Sequence, residues 1–117
     1  MEELKLKYFS PEEFKMGKEI VFDKMDTIFL RQLDNLRELV GEPLIINSSY
    51  RSRLYNKAVG GSENSLHLKG KAVDLRCNNG TLRAKIVKHA LNLGLSCGVY
   101  NTWVHVDNRE FQISYVG

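Results

Sequence analysis

The sequence predicts an α+β fold, an antiparallel sheet with helices packed against it. Apolar residues recur at helical spacing in two long stretches, one ending at Val40 and one at Leu93. The β-rich runs do not alternate one for one with those helices, and three of them crowd the C-terminal quarter. The 117 residues fit a single domain spanning 1–117.

Residues 4–8 read as a short strand or arm. Ser10-Pro11-Glu12-Glu13 has the form of a helix start: Ser10 at the N-cap, Pro11 in the first helical position, and Glu13 placed to complete a capping box. That helix is brief and ends near Gly17. From Asp26 to Val40, Phe29, Leu33, Leu36 and Val40 form one apolar stripe, Gly41 suits the residue after the helix, and Pro43 prevents continuation. Leu44–Asn47 is a short β-rich run, expected to be a buried strand. It leads into the polar segment Ser48–Ser52, a helical turn over Arg53–Val59, and a break at Gly60-Gly61-Ser62.

A loop then carries the chain to His67. Ala72–Arg76 is expected to be a strand with Ala72, Asp74 and Arg76 on one face and Val73 and Leu75 on the other. Asn78-Asn79-Gly80 is a turn. Thr81 is expected to cap a second long helix that buries Leu82, Ile86, Ala90 and Leu93 and ends at Gly94. Cys97–Tyr100, Trp103–Asp107 and Phe111–Tyr115 are expected to form an antiparallel meander.

Composition narrows the function. The net charge is only +3, and the basic residues are scattered without interleaved aromatics, which argues against nucleic-acid binding. No apolar run reaches the length of a membrane span, and Met1–Lys5 opens no apolar secretory segment. Synthesis in the cytoplasm and action as a monomer, away from membranes, are the expectations. Cys77 and Cys97 form no CxxC pair, and neither has metal spacing to a histidine; they read as two buried thiols, with a disulfide as the alternative.

The polar residues that remain point to metal chemistry. His67 and Asp74 stand seven residues apart, with Gly70 and Ala72 between them to permit a tight turn and close packing. A neutral imidazole and a carboxylate each offer a lone pair to a cation. In Trp103–Asp107, strand alternation puts His105 and Asp107 on one face of an otherwise apolar run, and a metal would offset the cost of burying them. His67, Asp74 and His105 would make the three-ligand set of an open catalytic zinc site. Asp107 reads as a carboxylate supporting a ligand from behind or as a strand-end hydrogen-bond acceptor. His89 reads as a helix-surface residue. Arg51 follows a strand in a serine-rich loop, where a guanidinium fork could take a carboxylate or a polarised carbonyl.

The segments Ser48-Ser-Tyr-Arg-Ser52, Gly60–His67, Gly70-Lys-Ala-Val-Asp74 and Trp103-Val-His-Val-Asp107 together resemble the zinc D-Ala-D-Ala carboxypeptidase family, which shares its fold with the hedgehog signalling domain. The likeness is nearest to the compact peptidase domains common in bacteriophages and prophages, and covers about residues 8–110. The resemblance implies the hedgehog/DD-peptidase-like fold. It assigns His67, Asp74 and His105 to zinc, Arg51 to the substrate carboxylate or the oxyanion, and Ser65 to the loop or the substrate side. Family members often carry an acid three residues before the last histidine; here that residue is Thr102. Asp107 is the best substitute for the base, ahead of Tyr100 and Asn101.

The resemblance therefore implies a zinc peptidase acting on peptidoglycan stem peptides, as a carboxypeptidase or an endopeptidase. Release to the cell wall by a phage-type lytic route, as an endolysin, would bring it to that substrate. Two other readings stand beside it: a zinc-containing module that binds cell-wall peptides without cutting them, and a signalling or structural domain on the same fold.

Overall fold

The computed structural model describes residues 4–117; the first three residues of the N-terminal run lie outside the described residues. Residues 4–8 form an arm, not a strand. It is tied down where Asp34 accepts the backbone N–H groups of Lys7 (2.8 Å) and Tyr8 (3.0 Å). The predicted first helix is a single 3₁₀ turn, Pro11–Glu13, with the Ser10 N–H donating to the Glu13 carboxylate at 2.7 Å. It stops there because the chain folds into a small hairpin, β1 (Lys15–Met16) with β2 (Glu19–Ile20), turning at Gly17.

Helix α1 runs over Thr27–Val40, as its stripe predicts. Asp26 caps it by accepting the Phe29 N–H at 2.9 Å, and Gly41 ends it in the left-handed conformation at φ 78°. Strand β3 (Ile46–Ser48) follows, then α2 (Arg53–Ala58), capped by Ser52. A 3₁₀ turn over Leu66–Lys69 carries His67, where a loop was expected, and β4 covers Ala72–Arg76. Helix α3 spans Gly80–Asn92. Its cap is Asn79, whose side chain accepts the Leu82 N–H at 2.7 Å; Thr81 already lies in the first turn. Strands β5 (Ser96–Val99), β6 (Trp103–Asp107) and β7 (Ser114–Val116) complete the chain.

The main sheet has the order β3-β4-β6-β5-β7. Two expectations fail here. Strand β3 is not a buried strand but an edge, with Ile46 half-buried and Asn47 exposed. The last three strands do not form a meander either, because β7 pairs with β5 in parallel. Strand β6 already has β4 on one side and β5 on the other, so the only free edge nearby belongs to β5. The chain leaves β6 at the end where β5 begins, and from there it can only run alongside β5 in the same direction.

Val73, Leu75, Val104, Val106 and Cys97 face α1 and α3 and form the core with Phe29, Leu30, Leu33, Leu36, Ile86 and Ala90. The opposite face of the same strands carries the polar residues. Truncating Leu33, which is fully buried, to Ala is expected to cost about 2–5 kcal/mol, read as a lower denaturant midpoint at unchanged slope.

Gly70 locks the His67 turn to the start of α1. It sits at φ 67°, its carbonyl accepts the Asp26 N–H at 3.0 Å, and a Cβ there would run into the backbone of Lys24 and Met25.

Candidate metal centre

Pairing of β4 with β6 sets Asp74 directly opposite His105. The 3₁₀ turn brings His67 to the same point. Ser65 shapes that turn by accepting the His67 N–H at 3.2 Å, and the Arg51 N–H donates to the His67 carbonyl at 3.0 Å. His67, Asp74 and His105 each present a ligand atom, and these atoms lie within 4.8 Å of one another.

The donor geometry fits a cation. His67 Nδ1 lies 2.7 Å from the Ser49 carbonyl, which can only accept, so Nδ1 carries the proton and Nε2 is bare in the neutral ring. That bare nitrogen faces Asp74 Oδ1 at 3.3 Å. His105 Nδ1 faces the same oxygen at 3.0 Å. Two imidazole nitrogens and a carboxylate oxygen converging at this range need a proton or a metal ion among them, and N/O donors of this kind suit zinc with one position left open.

Each candidate ligand is held from behind. Asp74 Oδ2 accepts from Arg51 at 3.1 Å, and the same guanidinium donates to Ser48 Oγ (3.0 Å) and Asn56 Oδ1 (3.2 Å). His105 Nε2 meets Asp107 Oδ2 at 2.8 Å. Asp107 is fully buried, and Arg109 clamps it through Nε at 2.9 Å, a terminal nitrogen at 2.6 Å and the backbone N–H at 3.0 Å. This fixes which His105 nitrogen faces the centre, the arrangement by which metal-bound histidines are usually oriented.

Charge follows this wiring. Burial opposes ionisation of Asp74, but the hydrogen bond with His105, with His67 close beside it, outweighs that and holds the carboxyl well below its usual range. Asp107 is likewise held low, burial being outweighed by His105 and Arg109. His105 is raised: burial opposes its charge, and Asp107 and Asp74 overcome that.

The centre opens into a cleft of about 700 Å³. One wall is the loop around Val59–Leu66, including Ser65. The other is aromatic: Tyr100 stacks on Trp103 at 4.3 Å, and Tyr115 stands edge-on to Tyr100 at 6.3 Å. Burial, followed by the neighbouring Tyr100, pushes the Tyr115 phenol up to about 12.

The predicted site residues divide. Arg51, Ser65, His67, Asp74, His105 and Asp107 all line the cleft, as does Tyr100. Thr102 and Asn101 are exposed in the β5–β6 turn and do not. His89 lies on α3, on the other side of the sheet. Cys77 and Cys97 are free, buried thiols, and burial with Asp107 nearby pushes Cys97 up to about 12. Asp107 does not fit the base: both its oxygens are taken by His105 and Arg109, so it positions His105. Sequence reasoning missed Arg109 and Tyr115. Arg109 could have been found as the cation two residues beyond a buried aspartate; Tyr115 had no local signal.

Residues 7–107 match the family model described as Peptidase M15. No curated protein matches the chain.

Proposed function

We propose, for a chain that belongs to the peptidase M15 family and is on that ground a zinc-dependent peptidase, that it cuts a peptide bond in the stem peptides of peptidoglycan. The observation that carries this reading is the convergence of His67, Asp74 and His105 at the floor of an open cleft. When held by these three residues, zinc supplies Lewis-acid polarisation of the scissile carbonyl and acidifies a water towards neutrality.

The chain's own residues do the rest. Arg51 keeps Asp74 turned so that Oδ1 faces the centre, and its terminal nitrogens retain two N–H groups for a substrate carbonyl or carboxylate. Ser65 accepts from the His67 backbone and keeps its own O–H to offer to the peptide. The charges of Arg51 and Arg109 cancel those of Asp74 and Asp107, so with zinc bound the cleft is net positive. That polarity favours a peptide bearing carboxylates, as a stem peptide does. The aromatic wall suits small apolar side chains beside the scissile bond.

One observation favours a second reading, a module that binds cell-wall peptides without cutting them. Among the described residues, the only carboxylates lining the cleft are Asp74 and Asp107, and both are engaged. Mass spectrometry of muropeptides separates the two. Zinc-loaded protein is expected to release shortened or separated stems, and a chelator to stop it. Intact muropeptides after long incubation, together with measurable affinity, would establish the binding module instead.

A further inference from the structure

The family match ends at Asp107, yet the chain continues through a crossover to β7 and so adds a residue to the cleft. In the sheet register Asp74 lies opposite His105, His105 opposite Gly98, and Gly98 beside Tyr115. Residues in register share a face, so Tyr115 stands in the same row as two of the metal-site residues, two strand spacings from His105. Gly98 leaves the space between them empty. A Cβ at position 98 would collide with the ring and the hydroxyl oxygen of Tyr115, so the phenol lies across Gly98 towards His105. The two rings are 6.3 Å apart, centre to centre.

The tyrosine is braced for this position. The Arg109 guanidinium sits 5.9 Å from its ring centre, and Tyr100 meets it edge-on at 90°. The Gly117 N–H donates to the Val99 carbonyl at 2.7 Å and closes β7 onto β5. Among the cleft's acidic and phenolic groups, both carboxylates are engaged and Tyr100 lies flat against Trp103. Tyr115 is the phenol whose ring stands beside His105 in the same row.

We propose that the Tyr115 hydroxyl is a catalytic hydrogen-bond donor of this peptidase, meeting the scissile carbonyl oxygen as that oxygen gains negative charge in the tetrahedral state. The phenol keeps its proton throughout and stabilises the charge through its dipole, which does most good where water is excluded. The assignment rests on the peptidase reading above.

Tyr115→Phe keeps the ring and its packing and removes only the donor. In zinc-loaded protein acting on muropeptides, kcat is expected to fall by about a hundredfold with KM and zinc content little changed. A second readout does not need turnover. Calorimetric binding of a dipeptide phosphinate, whose tetrahedral phosphorus stands for the attacked carbon, is expected to weaken by about tenfold or more in Tyr115→Phe. Gly98→Ala, which displaces the phenol without touching a ligand, is expected to reproduce both losses. Equal phosphinate affinity in wild type and Tyr115→Phe overturns the assignment of Tyr115, with the peptidase reading intact if the wild type still cuts. A wild type that cuts nothing overturns the peptidase reading and the catalytic role with it.

Discussion

Asp74→Ala is expected to lose stoichiometric zinc and, with it, all hydrolysis above background. Asp74 is the hub of the site. Its Oδ1 faces His67 Nε2 at 3.3 Å and His105 Nδ1 at 3.0 Å, and its Oδ2 receives Arg51 at 3.1 Å. Removing it takes away one of the three candidate ligands and the only negative charge among them. The loss in zinc affinity should exceed the roughly 10–100-fold that follows removal of a group behind a ligand. The metal-free protein is destabilised as well, because the largely buried Arg51 loses its counter-charge, a defect of about 3–5 kcal/mol when one partner of a buried pair is deleted. Metal content after dialysis and the denaturant midpoint of the chelator-treated protein measure the two effects separately. One equivalent of zinc retained by Asp74→Ala would remove Asp74 from the ligand set. Asp74→Asn keeps the shape and drops the charge, so it should hold most of the fold and little of the metal.

What could be read from the sequence follows from the range of the forces involved. Helix α1 and strand β6 were legible because their signals are local: a stripe of buried residues from Phe29 to Val40, and strict alternation from Trp103 to Asp107. The cap of α3 was misplaced by two residues because Asn79 and Thr81 are both good caps, and only the backbone path selects between them. The course of β7 could not be read, since it is set by which sheet edge remains free. The same division holds at the site. The three candidate ligands stood out because histidines are few and sit in patterned segments. The partners of Arg51 and Asp107 did not, because a guanidinium pairs with whatever the fold brings to it: a strand 23 residues away for Arg51, and its own chain two residues away for Arg109.

These partners give the centre a common design. Ser49 stands behind His67, Arg51 behind Asp74, and Asp107 with Arg109 behind His105. Each candidate ligand thus has a polar neighbour that fixes its orientation before any cation arrives, which reduces what binding must spend on ordering the site.

The same wiring predicts that the stability curves of the metal-free and zinc-bound protein diverge as pH rises. In the metal-free protein His105 lies between two carboxylates, with Nδ1 at Asp74 and Nε2 at Asp107. Its folded pKa is raised above the ordinary 6.5, so its contribution is fully present below that value and is lost as pH rises through the folded pKa. Asp74 and Asp107 are depressed from 3.8, so theirs is present above that value and fades as pH falls below it. Metal-free protein should therefore be most stable between about pH 4 and pH 6.5 and weaken on the alkaline side. Zinc works in the opposite direction. Zinc held by these residues would need the Nδ1 lone pair in place of the proton there, while the Nε2 proton would stay with Asp107, so affinity is expected to climb with pH until His105 is neutral. The rise in Tm caused by zinc should grow from about pH 6 to about pH 8 while the metal-free Tm declines. Thermal melts with and without chelator, on a pH series in one buffer system, test both trends. A metal-free Tm that does not change across that range, or a zinc increment independent of pH, would show that His105 is not held between Asp74 and Asp107 as a cation. Replacing Asp107 by Asn should flatten the metal-free slope, because it removes one of the two charges that raise His105.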